Sequence, residues 1–244
     1  PLLNKSDLAD PEVTAQWLET FSAEEATRAL SISATDPADA KRIPGLCKTL
    51  APHRRGPGKT VRCMVVGIPN VGKSTLINTI LGRRIAEGGD RPAVTKRQKQ
   101  FELDRGVSVS DTPGVLWPKL ADQTGAYRLA ASGAIRETAF EVQDVALFAA
   151  RFLAQRYPAP LAARYKLETV PSEGQEILDA LGRKRGFLKR GGIVDTERAA
   201  EILLRELRSG AIGRISFETP ADFPSDLPED LASDLPSDLP SDQE

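Results

Sequence analysis

Residues 67–74 constrain the fold of this chain more strongly than any other segment. They read GIPNVGKS and match the pattern GxxxxGK[ST], whose glycines let the backbone wrap closely around phosphate groups. Residues 61–66 are a β-branched, apolar run suited to a buried parallel strand, and residues 75–81 have the apolar spacing of a helix. Because the motif requires a strand before it and a helix after it, the segment predicts a nucleotide-binding α/β domain rather than a chance glycine-rich turn.

The residues of this loop have expected roles. The side chain of Lys73 is expected to reach the β- and γ-phosphates, and the hydroxyl of Ser74 is expected to bind Mg²⁺. Backbone N–H groups and the helix N-terminus supply positive potential for phosphate oxygens. The predicted nucleotide contacts in this loop are Val71, Gly72, Lys73, Ser74 and Thr75.

The composition limits the class of protein. Of 244 residues 40% are hydrophobic, but no apolar run approaches the roughly 20 residues that a membrane-spanning helix needs. The two cysteines, Cys47 and Cys63, have no spacing typical of a disulfide framework or a zinc site, and we expect reduced thiols. We expect a cytoplasmic protein, or one of an organellar matrix if a transit peptide precedes this stretch.

Charge is distributed unevenly along the chain. The formal net charge is −1, but no Lys or Arg follows Arg214, whereas nine acidic residues do. The first 214 residues therefore hold all 33 basic residues against 25 acidic ones, a net charge of +8. A basic folded part favours a nucleic-acid partner, although a basic face can also be merely solvated.

Residues 4–7, NKSD, form a candidate guanine-reading loop after a short apolar stretch. The carboxylate of Asp7 would accept hydrogen bonds from N1–H and N2–H₂ of guanine, an edge that adenine does not offer. Lys5 would lie along the base, and Asn4 would tie this loop to the base and to the phosphate loop. Alone, four such residues also fit an ordinary turn or a helix cap.

A second base-reading loop is predicted one helix later. Residues 11–28 have helical spacing, residues 29–32 read as a strand, and Ser33-Ala34-Thr35 follows. The N–H of Ala34 could donate to guanine O6, and Ser33 belongs to the same loop. Two such loops at the C-terminal ends of successive strands are more specific than either alone.

Two later segments are candidates for sensing the γ-phosphate. Thr95 lies in a loop rich in glycine and proline and is a candidate switch residue for Mg²⁺ and the γ-phosphate. Residues 98–103 and 106–110 predict a hairpin, and the second strand runs into Asp111-Thr112-Pro113-Gly114. Asp111 would hold Mg²⁺ through water, and the N–H of Gly114 would contact the γ-phosphate. The candidate metal ligands are Ser74, Thr95 and Asp111, and the candidate catalytic residues include Lys73, Thr95 and Gly114.

The base-reading loops precede the phosphate-reading loops, which is the reverse of the Ras-like order and indicates a circular permutation. The chain resembles the circularly permuted GTPases, most closely the ribosome biogenesis GTPase A family, over residues 2–219. The resemblance rests on NKSD at 4–7, SAT at 33–35, the phosphate loop, PAVTK at 92–96, DTPGVLWP at 111–118, KRGFLKRGG at 184–192 and Asp195.

The resemblance implies an α/β fold with two parts, and a third part, an acidic tail, lies outside the resemblance. A circularly permuted P-loop GTPase domain with a mostly parallel sheet and helices on both faces would span residues 1–125. A small all-α domain would span residues 126–219, and an acidic tail with near-repeats of SDLP, over 220–244, is predicted to be disordered. One strand and one helix that precede NKSD in the family have no counterpart in the printed sequence. We therefore expect an N-terminally incomplete piece, in which that strand belongs beside residues 61–66.

The resemblance also implies how hydrolysis is assisted. After DxxG, where Ras-like enzymes place a water-orienting glutamine, this chain has Val115, so unaided hydrolysis should be slow. The resemblance implies help from a K⁺ ion held partly by Asn70, which joins the candidate catalytic and nucleotide-binding residues, and from the precursor of the large ribosomal subunit. The alternative for Asn70 is a loop residue that bonds its own turn.

The second half predicts helices and a basic surface. Apolar residues recur at helical intervals over 126–156, and further helices are predicted over 173–182 and 196–209. A basic, glycine-flanked segment between the last two suits a phosphate backbone. The resemblance implies contact with ribosomal RNA, whereas the alternative is a solvated basic turn. The candidate RNA-binding residues are Arg183, Lys184, Arg185, Lys189 and Arg190.

The sequence features predict a GTP-hydrolysing switch with GTP and Mg²⁺ as ligands, and the resemblance implies that it binds K⁺, the precursor of the large ribosomal subunit and its rRNA. No membrane-spanning segment and no oligomer are expected. One alternative is a permuted GTPase of small-subunit maturation or RNA modification, which would bring a further OB barrel or zinc site. The other is a hydrolysis-deficient binding module, which Lys73, Ser74 and Asp111 argue against and Val115 keeps open.

Overall fold

Short strands at the start and centre of the chain carry the predicted nucleotide-reading loops. The computed structural model describes residues 1–23, 27–54, 59–82, 99–103, 106–114, 116, 122–135 and 141–223. Strand β1 (Leu2–Leu3) pairs in parallel with β2 (Leu30–Ser31). A second sheet has the order β3 (Val61–Val65), β5 (Val107–Asp111), β4 (Lys99–Leu103).

The pairing of these strands decides which loops meet. Strands β3 and β5 are parallel, so the phosphate loop after β3 and the DTPG segment after β5 leave the sheet at the same edge. Strands β4 and β5 are antiparallel, as the predicted hairpin requires. The predicted α/β fold with a mostly parallel sheet is confirmed. Among the described strands β3 pairs with β5 alone, so none of them lies where the additional strand was predicted.

Within the described part of the first half, three helices accompany these strands: α1 (Pro11–Ser22), α2 (Pro37–Leu50) and α3 (Lys73–Leu81). Helices α1 and α2 begin where an Asp side chain accepts backbone N–H bonds and a Pro occupies the first turn. The prediction that α1 extends to residue 28 is wrong. Helix α1 ends at Ser22 and residues 27–29 are not helical, because Leu30 and Ser31 must return to pair with β1.

The described residues of the second half form five helices: α4 (Gln123–Ala131), α5 (Val142–Arg156), α6 (Pro158–Tyr165), α7 (Gly174–Arg185) and α8 (Thr196–Arg208). Their shared core surrounds α5, whose Ala146, Ala149 and Ala150 are fully buried. Small side chains let neighbouring helices approach closely. A Cβ added at Gly174 would lie 2.6 Å from the Leu147 carbonyl oxygen, so α7 begins directly against α5.

One helix boundary in this half differs from the sequence prediction. Arg183, Lys184 and Arg185 form the last turn of α7, so the basic segment is partly helical rather than a connecting loop. Residues 220–222, which belong to the predicted tail, form a 3-10 turn capped by Thr219. Phe223 then packs edge-on against Trp17 of α1, with ring centroids 5.7 Å apart. Residues 224–244, which hold the SDLP near-repeats, lie outside the described residues.

None of the helices in the described part of the chain is long and apolar enough to cross a membrane. In the same residues, no three His, Cys, Asp or Glu side chains are grouped so as to hold a metal ion.

Candidate nucleotide-binding site

The phosphate loop runs directly into the N-terminus of α3. Gly72 caps the helix with a φ of 96°, a left-handed conformation that favours glycine. The Lys73 ammonium donates to the carbonyl oxygens of Gly67 at 3.0 Å and Ile68 at 2.7 Å, so its side chain folds over the loop. Burial lowers the pKa of Lys73 from its ordinary value, and the Asp111 carboxylate partly opposes that shift. A cationic group thus lies where phosphate would sit.

Ser74 and Asp111 bring two oxygen donors together from different elements. Ser74 lies in the first turn of α3 and Asp111 ends β5, and the Ser74 hydroxyl donates to Asp111 Oδ2 at 3.0 Å. The Asp111 residue is only 1% exposed. Hydroxyl and carboxylate oxygens are the ligands that Mg²⁺ prefers, and it commonly takes one or two from the protein beside nucleotide phosphates. The pair therefore fits a Mg²⁺ ion at this end of the loop.

The DTPG segment packs against the phosphate loop. A Cβ added at Gly114 would lie 2.7 Å from both N and Cα of Pro69, so only glycine fits at this distance. The Thr112 hydroxyl donates to the Val65 carbonyl oxygen at 2.7 Å and ties the segment to the end of β3. The backbone of Gly114 is thereby held beside the loop that would bind phosphate.

Asn4 joins three loops that are far apart in sequence. Its Nδ2 donates to the Val71 carbonyl oxygen of the phosphate loop at 2.7 Å, and its Oδ1 accepts from the Ala34 N–H at 2.8 Å. The parallel pairing of β1 and β2 brings the NKSD and SAT loops side by side. A Cβ at Gly72 would overlap Nδ2 of Asn4. One amide therefore fixes both predicted base-reading loops to the phosphate loop.

The SAT loop supports this amide. Because the Ala34 N–H donates to Asn4, it has a protein partner where the sequence predicted guanine O6. The Ser33 N–H donates to Asp39 Oδ2 at 2.9 Å, and the Ser33 hydroxyl lies 2.9 Å from that of Thr35. The loop is thus ordered by its own contacts.

The NKSD loop presents its two charged residues to solvent. Lys5 and Asp7 are both exposed, and Lys5 has a φ of 61°. The Lys5 carbonyl oxygen accepts from the N–H groups of Leu8 and Ala9, which closes a turn around Asp7. The carboxylate of Asp7 is accessible at the surface where the three loops meet.

Asn70 connects the phosphate loop to the helical half. It has a φ of 56°, and its Nδ2 donates to the Gly133 carbonyl oxygen after α4 at 2.9 Å. Arg208 of α8 supports this corner by donating to the carbonyl oxygens of Ala130 and Ala131. Sequence reasoning missed Gly133 and Arg208, because a backbone carbonyl leaves no trace in residue type.

Two residues named from the sequence, Thr95 and Val115, lie outside the described residues. The five basic candidates are all exposed, but they differ in their partners. Lys189 pairs with Asp195 at 3.2 Å although its side chain is exposed. Arg185 donates to Glu206 at 2.8 Å, so the helical core already uses this guanidinium.

The chain is also similar in sequence to known GTPases. The profile of a family described as "50S ribosome-binding GTPase" matches residues 62–172. Ribosome biogenesis GTPase A of Priestia megaterium is 44% identical over 229 residues, which covers 91% of this chain and 79% of that protein.

Two solved structures are also similar. A GDP-bound structure of TM YlqF has a TM-score of 0.64 and 32% identity, covering 91% of this chain and 83% of the other. GNP-bound YlqF from T. maritima has a TM-score of 0.58 and 31% identity, covering 90% and 81%. On this identity and coverage, the chain belongs to the ribosome biogenesis GTPase A family of GTP-binding proteins.

Proposed function

We propose that this chain binds GTP with Mg²⁺, hydrolyses it, and associates in its GTP-bound state with the precursor of the large ribosomal subunit through ribosomal RNA. The observation that carries the proposal is Asn4, which joins the loops predicted to read guanine to the loop predicted to bind phosphate. A site that merely bound phosphate would not need this connection. The names of the similar proteins support the ribosomal partner.

Each residue of the site has a separate proposed role in binding GTP and Mg²⁺. Asp7 would accept from the guanine edge, Lys5 would cover the base, and Lys73 would exchange its two loop carbonyls for β- and γ-phosphate oxygens. Mg²⁺ would supply positive charge that stabilises the phosphates during transfer, held by Ser74 and, through water, by Asp111. These protein groups orient the phosphate chain and lower the electrostatic cost of hydrolysis.

Two segments would respond to the presence or absence of the γ-phosphate. Gly114 already lies against Pro69 of the phosphate loop, so a γ-phosphate there would bond its N–H and fix the segment that follows. Thr95 would contribute the second contact. Loss of the γ-phosphate would release both segments and lower the affinity for the ribosomal subunit.

Co-sedimentation tests the proposal directly. The chain should sediment with large-subunit precursors when a non-hydrolysable GTP analogue is present and should stay in the supernatant with GDP. The small ribosomal subunit and mature large subunits serve as controls. Equal association with GDP and with the analogue would contradict the proposed switch, and association with small-subunit precursors instead would favour the small-subunit alternative.

A K⁺ ion held by Asn70 is the proposed source of faster hydrolysis. Its Nδ2 is engaged by Gly133, which leaves the carbonyl oxygen of the amide as the atom to ligate a cation beside the β- and γ-phosphates. We expect faster GTP hydrolysis in K⁺ than in Na⁺ at equal ionic strength, and we expect Asn70→Ala to remove the difference. Rates are measured by phosphate release. Asn78→Ala, later in α3, should keep the K⁺ response, and equal wild-type rates in both salts would rule the hypothesis out.

The basic end of α7 and the turn after it are the proposed RNA contact. The basic side chains there are all exposed, but Arg185 and Lys189 pair with acidic side chains, so Lys184 and Arg190 are the better test. We expect Lys184→Glu with Arg190→Glu to weaken subunit association about tenfold or more, because each lost phosphate contact forfeits counterion release. Affinity for GTP should not change.

The matched control reverses two exposed arginines elsewhere, Arg151→Glu on α5 and Arg205→Glu on α8. It changes the net charge equally. If both double variants lose association to the same extent, general repulsion explains the result and the basic end of α7 is not the contact.

A further inference from the structure

The residues after α8 return to the first half of the chain and hold its guanine-reading loop. Arg214 donates from Nε to the Ala9 carbonyl oxygen and from a terminal nitrogen to the Ser6 carbonyl oxygen, both at 2.7 Å. These two carbonyls flank Asp7 in the turn that follows Asn4. One guanidinium therefore spans the turn that carries the proposed guanine-binding carboxylate.

Neighbouring contacts strengthen this attachment. The Ile215 N–H donates to the Leu8 carbonyl oxygen at 2.8 Å, and the Asp10 N–H donates to the Ser216 hydroxyl at 3.1 Å. The Tyr157 hydroxyl at the end of α5 lies 3.0 Å from Asp10 Oδ2 and 3.2 Å from the Ser216 carbonyl oxygen. Through these bonds the turn is fastened to the helical half.

The turn needs such support. Lys5 adopts a left-handed φ of 61°, which is unfavourable for a residue with a Cβ. Asn4 fixes the start of the turn to the phosphate loop, and Arg214 fixes its middle and end. Asp7 lies between these two anchors and is itself exposed, so its direction depends on both.

We propose that Arg214 is a positioning residue for guanine recognition, which acts by holding Ser6 and Ala9 and thereby aiming Asp7. The planar guanidinium, with several donors in a fixed geometry, suits two carbonyl oxygens a turn apart. The inference rests on the proposed GTP binding, and it makes base selectivity depend on a residue of the helical half. Because Arg214 is exposed, water competes for its bonds and the effect is moderate.

Comparing the binding of two nucleotides distinguishes an effect on the position of Asp7 from a general loss of protein stability. Inosine diphosphate lacks the 2-amino group of guanine, so it forfeits one of the hydrogen bonds to Asp7. We expect Arg214→Ala to weaken GDP binding about tenfold and inosine diphosphate binding less, so that the preference between them shrinks. Arg214→Lys, which can reach one carbonyl, should recover part of the preference. Affinities are measured by calorimetry on the full chain.

Arg205→Ala, at an exposed position of α8, should leave both affinities unchanged. If the wild type binds GDP no better than ADP, the proposed function itself fails. If the wild type is selective but Arg214→Ala keeps the same ratio between GDP and inosine diphosphate, this inference alone is overturned. Should Arg214→Ala fail to fold, the same ratio measured in Arg214→Lys decides: an unchanged ratio overturns the inference, and a reduced one supports it.

Discussion

Replacing Gly72 by alanine is expected to lower the affinity for GDP at least about 100-fold, which is about 2.7 kcal/mol. The φ of 96° at this position already disfavours any residue with a side chain. In addition, the new methyl group would overlap Nδ2 of Asn4. Asn4 would have to move and would give up its bonds to Val71 and Ala34, so the base-reading loops would lose their connection to the phosphate loop. Calorimetric titration with GDP measures the loss.

The chain offers a matched control for the backbone cost. Gly186 caps the C-terminus of α7 with a φ of 71°, and a Cβ added there meets nothing within 4 Å. Gly186→Ala should lower the free energy of unfolding by about 1 kcal/mol and leave GDP affinity unchanged. If Gly72→Ala binds GDP as tightly as the wild type, or if both variants lose the same affinity, the proposed link through Asn4 is wrong.

The elements around the proposed nucleotide site were predictable because their sequence signals are local. The apolar run over β3, the glycine-rich loop and the spacing of α3 lie next to one another in sequence, and each fixes backbone conformation directly. The order of the motifs then gave the permuted topology. The helix boundaries that were wrong, at Ser22 and at Arg185, depend on what the chain must pack against next.

The connections between the two halves could not be predicted in the same way. Asn70 reaches the carbonyl of Gly133, and Arg214 reaches the carbonyls of Ser6 and Ala9. Backbone carbonyls are present at every residue, so no pattern of side chains marks the ones that accept. In sequence, Arg185 likewise cannot be distinguished from its basic neighbours, because its partner Glu206 lies in another helix.

These connections have a common consequence for the proposed switch. The helical half contacts the predicted phosphate-binding loop at Asn70 and the predicted guanine-reading loop at Arg214. A movement of the helices would therefore change the contacts to both the base and the phosphates of a bound nucleotide. A bound nucleotide would in turn restrain the helices. Coupling of this kind is what a GTP-dependent association with a large partner requires.

The second large effect is expected at Glu206, the buried acid of the helical core. The residue is only 7% exposed. Its carboxylate accepts two hydrogen bonds from Arg164 and one from Arg185, each at 2.8 Å. Glu206→Ala would leave two arginines facing one another without their shared anion. We expect the free energy of unfolding to fall by about 3 kcal/mol, the lower part of the range for buried pairs, because both arginine side chains are about a third exposed. Urea denaturation measures the change, and Glu201→Ala, exposed on α8, should have little effect.

The same carboxylate predicts a pH dependence. The hydrogen bond from Arg164, followed by smaller contributions that include Arg185, holds the pKa of Glu206 below its ordinary value of 4.5. A group whose pKa is lower in the folded state contributes stability above its unfolded pKa and loses that contribution as the pH falls through its folded pKa. Wild-type stability should therefore decline below about pH 4.5, and Glu206→Gln should show a shallower decline there.

The pairing with Glu206 also raises the question of whether Arg185 stabilises the helical core or contacts RNA. If the guanidinium serves the core, Arg185→Ala should lower the free energy of unfolding and should weaken ribosomal association only in proportion to the folded fraction. Lys184→Ala, its exposed neighbour, should leave stability unchanged. Should Arg185→Ala instead reduce association while unfolding at the same urea concentration as the wild type, then Arg185 belongs to the RNA contact, and the pairing with Glu206 contributes little to the fold.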